Sequence, residues 1–393
     1  MSADPTLRWD EQEGTLRRRL EKLTPRGEPG RGPGEQPRAI LIGGQQAAGK
    51  TTTQKLVHRA LGKEGVASYD GDDNATAHPR YEAIMRANGI HGQAIVQHNL
   101  PSRLHLACLQ HLRTGEPKYD VVASHPLQRE DWAKGWVDGF RDNGYRVSAV
   151  YIATNESNSL LGIANRYQQD RDDRGYGRWV DPAWHDESYT GVPQTAHALE
   201  SQGYVDDIYV VNRDGHVLYE NHRNPDGTMQ RAPGAAQAIV DERNRPPTPA
   251  ERDRFLRIAN NLVQHRDPMF PPLEPDVRET VDEAVRREFA RPEARPDTRQ
   301  FAPDNRIDHR LSQTAGPVGP GSGPPGGAPG GPAGPGAGSA PASDIDPALL
   351  EARRLAGAGV ASPAGIRPAS PGQGAADRPQ RGGRDSPERG PSR

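Results

Sequence analysis

Eight consecutive residues carry the clearest chemical signal in the chain: Gly44-Gln45-Gln46-Ala47-Ala48-Gly49-Lys50-Thr51. Two glycines at this spacing ahead of Lys-Thr meet the P-loop pattern. Glycine admits positive φ, so successive backbone N–H groups turn inward toward phosphate oxygens. A helix opening there adds the partial positive charge of its N-terminus. Lys50 reaches the β- and γ-phosphates, Thr51 offers its hydroxyl to Mg²⁺, and Thr52 continues the loop into the helix. The expected ligands are therefore ATP and Mg²⁺. The alternative is a glycine-rich turn with an exposed lysine, against which stands the context. An apolar run, Ala39-Ile40-Leu41-Ile42, precedes the loop, and a helical pattern follows it.

Phosphoryl transfer needs more than a phosphate cradle. It requires a group to position the nucleophile and added positive charge on the transferring oxygens. The acidic segment Tyr69-Asp70-Gly71-Asp72-Asp73-Asn74, followed by His78-Pro79, comes directly after a second strand-like run. In an open parallel sheet the C-terminal strand ends face the ligand crevice. Asp72 or Asp70 there would take a proton from a substrate hydroxyl or orient Mg²⁺ through water, with Asp73 as a further substrate contact. The same aspartates equally read as a turn capping the next helix. Arg166 and Arg178 are candidate phosphate clamps, since guanidinium stays charged and binds two oxygens at once. Judged on residue type alone, each is as good a surface ion pair. Arg171 and Arg174 read as a solvated loop, and Gly175-Tyr176-Gly177 as a mobile lid. His185-Asp186 lacks neighbours at metal-ligand spacing and reads as a helix start capped around Asp186.

These residues need a frame. Apolar runs at 39–42, 66–69, 120–124 and 147–153 alternate with helical patterns at 52–61, 102–112, 132–141, 157–169 and 186–201. A strand pair, 207–211 and 217–219, closes the series around Arg213-Asp214-Gly215. Such alternation predicts an α/β, P-loop kinase-like three-layer fold with a mainly parallel sheet between helices. Leu7, Trp9, Leu16, Leu20 and Leu23 predict an amphipathic helix over 7–24. Two more amphipathic helices are expected at Pro249–His265 and Asp276–Phe289. The division that follows is 1–36 helix and linker, 37–223 kinase-like domain, 224–292 accessory helices and 293–393 tail. Only 33% of the 393 residues are hydrophobic, and the 44 Gly and 38 Pro concentrate toward the C-terminus. Such a tail cannot offset chain entropy, so disorder is expected apart from a short helix at Ala348–Ala358. The scattered arginines near the C-terminus read as solvation.

A net charge of −2 argues against a general nucleic-acid or membrane binder. The single cysteine, Cys108, reads as a buried small hydrophobe and fits a reducing compartment. Neither a secretory leader nor a bilayer-length apolar run is apparent, so a cytoplasmic protein is expected.

Together these motifs resemble the zeta-toxin family of P-loop kinases, over roughly Arg38 to Tyr219. The resemblance rests on Ile42-Gly43-Gly44-Gln45 with Gly49-Lys50-Thr51, the Asp70-Gly71-Asp72 segment with His78-Pro79, and Gly162-Ile163-Ala164-Asn165-Arg166-Tyr167. Arg178 ahead of His185-Asp186, and Asp207-Ile208 with Asn212-Arg213-Asp214-Gly215, complete it. It implies an ATP-dependent kinase that phosphorylates the 3′-hydroxyl of UDP-N-acetylglucosamine. By position it makes Asp72 the general base, Lys50 and Thr51 the holders of phosphate and Mg²⁺, and Arg166 and Arg178 the stabilisers of transferring charge. The family is often held inactive by a small helical antitoxin over the nucleotide site. The helix at 7–24 reads as packing on the domain or as a docking element.

Two departures concern the acceptor. A family glutamate that contacts the sugar falls at Leu106, beside His105, and Ala123-Ser124-His125-Pro126 replaces a Glu-Gly-Thr-like strand end. Leucine cannot accept a hydrogen bond from a sugar hydroxyl, and loss of such a contact alters discrimination strongly. His125 is an acceptor-site residue or a structural cap. Two alternatives therefore stand beside the sugar-nucleotide kinase: a kinase of another small molecule such as an antibiotic, and a non-catalytic nucleotide-binding partner protein.

Overall fold

Alternation inside the apolar runs sets the architecture. In β1 (Arg38–Gly43), Ala39 and Leu41 face one hydrophobic layer and Ile40 and Ile42 the other, all buried. The computed structural model describes residues 4–32, 34–264 and 272–313. Ahead of β1 lies α1 (Trp9–Leu23). After it come α2 (Lys50–Leu61), β2 (Val66–Asp70), a 3-10 segment at Gly71–Ala77, α3 (Tyr81–Asn88), α4 (Gly92–His98) and α5 (Leu104–Thr114). Then β3 (Asp120–Ser124), α6 (Glu130–Arg141) and β4 (Arg146–Ile152) alternate, followed by the long α7 (Glu156–Arg174) and α8 (Pro182–Ser201). The hairpin β5 (Asp207–Val211) and β6 (Val217–His222) leads to α9 (Ala235–Asn244), α10 (Pro249–Val263), α11 (Pro275–Phe289) and α12 (Ile307–Gln313).

The six strands are ordered β2-β3-β1-β4-β5-β6, parallel except for β6. The order reverses at β1, whose neighbours are β3 and β4. A parallel sheet opens a crevice at the C-terminal edge of such a reversal, and the P-loop leaves β1 there. One face of the sheet packs on α5, α6 and α8, the other on α2 and α12. The expected α/β three-layer fold is what the chain adopts.

Charges at the opposite edge of the sheet are neutralised. Asp120 receives Arg31 and Arg38 at 3.1 and 2.9 Å, and Asp207 receives Arg146 at 2.7 Å. Buried carboxylates paired and hydrogen-bonded in this way are tolerated where isolated ones would not be. The crevice edge, described below, is treated differently.

Several expectations need correction. The helix at residues 186–201 begins earlier, at Pro182, and its cap is Asp181, which accepts from Ala183 N, not Asp186. Arg171 and Arg174 lie on α7, not on a loop. Gly175-Tyr176-Gly177 is packed: Tyr176 is buried between Arg86 and Arg174, and a Cβ on Gly177 would meet the Tyr167 carbonyl. Ordered chain also extends past residue 293. Ile307 and Leu311 of α12 are buried against α2, and Ile307 N donates to Gly215 O at 2.9 Å. Two apolar residues one helical turn apart supply the burial that tail composition concealed. The expected helix at 348–358 and the rest of the tail lie outside the described residues.

Of the two readings of the N-terminal helix, packing is the one observed. Arg19 of α1 is buried; its Nε donates to Asn74 Oδ1 at 2.8 Å and its Nη2 to Asp70 O at 3.1 Å. This ties α1 to the acidic segment. Arg19→Ala leaves both acceptors without that donor and is expected to cost about 2–3 kcal/mol, read from urea unfolding. An unchanged midpoint would show that the tie contributes nothing.

Candidate functional site

The P-loop takes the shape its glycines permit. Gly44, Ala47 and Gly49 have φ of 142°, 55° and 114°. Gly44 N donates to Pro126 O at 3.0 Å, and Thr154 Oγ1 donates to Ala48 O at 2.8 Å. Gln45 and Gln46 turn their side chains into the protein. Gln45 Nε2 donates to Thr154 O at 2.7 Å, and Gln46 Nε2 to Ser188 Oγ at 3.3 Å. Their contribution to a ligand is thus their backbone. Gly162 explains the approach of α7, because a Cβ there would stand 3.0 Å from the Ala47 Cβ.

Lys50 donates to the loop's own carbonyls, Gly44 O at 2.8 Å and Gln45 O at 2.9 Å. Burial lowers its pKa to about 8, with Asp70 and Asp72 opposing that shift. Thr51 and Thr52 are exposed toward a cavity of about 850 Å³ that begins at the P-loop.

The acidic segment both caps a turn and lines the cavity. Asp70 caps the 3-10 segment, accepting from Asp72 N at 3.0 Å. Asp72 remains exposed to the cavity, where Gln97 Nε2 approaches its Oδ1 at 3.5 Å. Asp73 pairs with Arg178 at 3.0 Å. Burial raises the Asp70 pKa to about 6, reinforced by the charges of Asp72 and Asp73. A raised carboxyl favours folding below its unfolded value near 3.8, and that contribution is lost as pH rises through about 6. Asp70→Asn keeps the capping oxygen and removes the charge. Its melting temperature relative to wild type is therefore expected to rise between pH 4 and pH 7. Parallel thermal-unfolding profiles would contradict this.

Arg166 projects from α7 toward the same space. Burial lowers its pKa and the charge of Arg178 adds to that, while Asp72, Asp170 and Asp70 oppose. Among the described residues its Nε has no hydrogen-bond partner. Arg166 thus sits less fully paired at the crevice edge than the arginines at the opposite edge. The cavity gathers Lys50, Thr51, Asp70, Asp72, Arg166 and Arg178.

At its far end the wall is aromatic and amide-bearing. His125 lines it, packed on Trp136 at 5.2 Å, and its Nδ1 accepts from Leu127 N at 3.2 Å, so the histidine serves the loop. At the level expected for Leu106 the lining residues are Leu104 and His105, whose Nδ1 hydrogen-bonds Tyr69 Oη at 2.7 Å. Gln93 and Trp184 also line the cavity and escaped the sequence reading. Gln93 is buried, and neither carboxamide atom has a partner among the described residues. Its only sequence signal was a polar residue three positions before Val96 on the buried side of a short helix.

No group of three or more His, Cys, Asp or Glu side chains among the described residues would hold a metal alone. Mg²⁺ needs few protein ligands when phosphates supply the others, and the Thr51 hydroxyl with Asp70 or Asp72 fits that demand.

The sequence profile of the family described as “Zeta toxin” matches residues 26–224. The chain belongs to the zeta toxin family. Zeta toxins are kinase-like enzymes that use ATP. Among curated relatives, “Toxin zeta” of Enterococcus hirae is 25% identical over 194 residues, 49% of this chain and 66% of that protein. “Toxin PezT” of Streptococcus pneumoniae serotype 4 is 26% identical over 213 residues, 53% of this chain and 80% of that protein. The chain therefore spans just under two thirds of the zeta toxin of E. hirae. A solved structure from the PezAT chromosomal toxin-antitoxin system of S. pneumoniae superposes with a TM-score of 0.52 at 20% identity. It covers 66% of this chain and 98% of its own, and shares the fold. Among the described residues no helix is long and apolar enough to cross a membrane.

Proposed function

We propose that this zeta toxin transfers the γ-phosphate of ATP to a hydroxyl of a sugar nucleotide, the 3′-hydroxyl of UDP-N-acetylglucosamine. One observation carries the reading: a single cavity places a P-loop, a cavity-facing carboxylate and two arginines around common space. ATP lies with its β- and γ-phosphates on the backbone of Gly44–Thr51. Lys50 exchanges the Gly44 and Gln45 carbonyls for phosphate oxygens. Asp72 takes the proton from the acceptor hydroxyl as its oxygen attacks phosphorus, and the bond to the ADP oxygen breaks. Arg166 and Arg178 meet the charge that spreads over the transferring oxygens. The Thr51 hydroxyl and the acidic segment would hold Mg²⁺, which would supply neutralisation of the phosphate charge.

The acceptor end supports a hydroxylated ligand with amide or ring faces. Gln93 offers two N–H donors and an acceptor oxygen, and Trp184 a flat surface. Since the sequence departs from the family pattern at Leu106 and His125, a second reading, another hydroxylated small molecule, is kept. A small helical antitoxin is the proposed protein partner, by analogy with the relative from the PezAT toxin-antitoxin system.

Incubating the protein with ATP, Mg²⁺ and UDP-N-acetylglucosamine should yield ADP and a phosphorylated sugar nucleotide by mass spectrometry. Turnover only with other hydroxylated compounds would move the assignment to the second reading. ATP binding without any acceptor would leave a nucleotide-binding partner protein.

A further inference from the structure

The nucleotide end of the cavity is also lined by residues that none of the phosphate-transfer roles use. Arg213 lies in the turn after β5, at the sheet edge from which the P-loop emerges. Its Nε is 3.9 Å from the point where Gly49 would carry a Cβ, alongside the first turn of α2. Arg254 comes from α10, beyond the segment matched by the family profile. Both arginines line the cavity and are accessible within it.

We propose that Arg213 and Arg254 form a second anion clamp, which holds the α-phosphate of a nucleoside triphosphate whose β- and γ-phosphates rest on the P-loop. The inference rests on the ATP reading and extends it to Arg213, in the turn after β5, and to Arg254, outside the segment matched by the family profile. Among the described residues neither guanidinium makes a hydrogen bond or ion pair. The neighbouring carboxylate of Glu251 is engaged elsewhere, by Arg245 at 2.5 and 2.8 Å and by Thr248 N at 2.7 Å. Burial lowers the Arg213 pKa and the charge of Arg254 lowers it further, with Asp214 and Glu251 only opposing. Two cations held together are relieved by a multiply charged anion, and guanidinium pairs with phosphate oxygens bidentately. The same helix presents Phe255 and Ile258 to the cavity, an apolar surface suited to the base. A phosphate at the P-loop, guanidiniums one step along and an apolar face beyond follow the order of groups in a nucleotide.

Calorimetric titration of the full chain with ATP tests the clamp, using wild type, Arg213→Gln, Arg254→Gln and Lys50→Ala. Arg213→Gln is expected to weaken ATP binding about tenfold, and Arg254→Gln several-fold. Neither variant should melt below wild type, because each removes a like charge from a repelling pair. Wild-type affinity in both arginine variants, with binding lost in Lys50→Ala, would overturn the clamp and leave the ATP site standing. A wild-type protein that binds no ATP would overturn both.

Discussion

Exchanging Arg166 for glutamine is expected to lower the rate of phosphoryl transfer about a thousandfold, within the range known for arginines that stabilise transferring phosphoryl groups. The reasoning begins with desolvation. The α7 helix carries this cation into the cavity wall, where burial lowers its pKa and Arg178 repels it. Its Nε finds no partner among the described residues. A cation kept in that condition gains most when negative charge develops on the transferring group, so its effect falls on kcat more than on ATP binding. The same substitution is expected to raise the melting temperature, since it removes a poorly compensated buried charge. Faster unfolding with kcat intact would assign Arg166 to structure instead.

The second large effect is expected at Asp72. Replacing it with asparagine should cost about a hundred- to ten-thousandfold in turnover, the usual span for a general base. ATP binding should hold or tighten, because a negative charge near Lys50 and the phosphates is lost. Geometry separates Asp72 from its neighbours. Asp70 is occupied as a cap, and Asp73 by Arg178, whereas Asp72 faces the cavity. Asp73→Asn should therefore be the milder change. Comparable kcat losses in Asp72→Asn and Asp73→Asn, measured at saturating ATP, would remove the base assignment.

The parts of this molecule that were legible in the sequence are those set by local physics. Ala39–Ile42 reads as a doubly buried strand because its residues alternate between two cores. The P-loop reads as a phosphate cradle because glycines at 44 and 49 take positive φ. Illegible features depend on contacts distant in the chain. Arg254 meets the P-loop end of the cavity only after β6, α9 and α10 fold back. Gln93 becomes a cavity residue through the placement of a seven-residue helix that has no periodicity of its own. The α12 helix has just two buried apolar residues, Ile307 and Leu311, and sits beside a stretch rich in Pro and Gly. One miss was avoidable: Asp181-Pro182 is a cap followed by proline at the first helical position, a stronger helix start than Asp186. In the acceptor wall His105, not Leu106, faces the cavity, because a helix turns through about 100° per residue.

The most direct test follows labelled phosphate. ATP carrying radiolabel on its γ-phosphate, mixed with Mg²⁺, UDP-N-acetylglucosamine and the full chain, should pass label to the sugar nucleotide with wild type. The Asp72→Asn variant should bind ATP yet pass almost none. Label that stays on ATP, or appears only as inorganic phosphate whatever hydroxylated acceptor is supplied, would contradict a phosphotransferase.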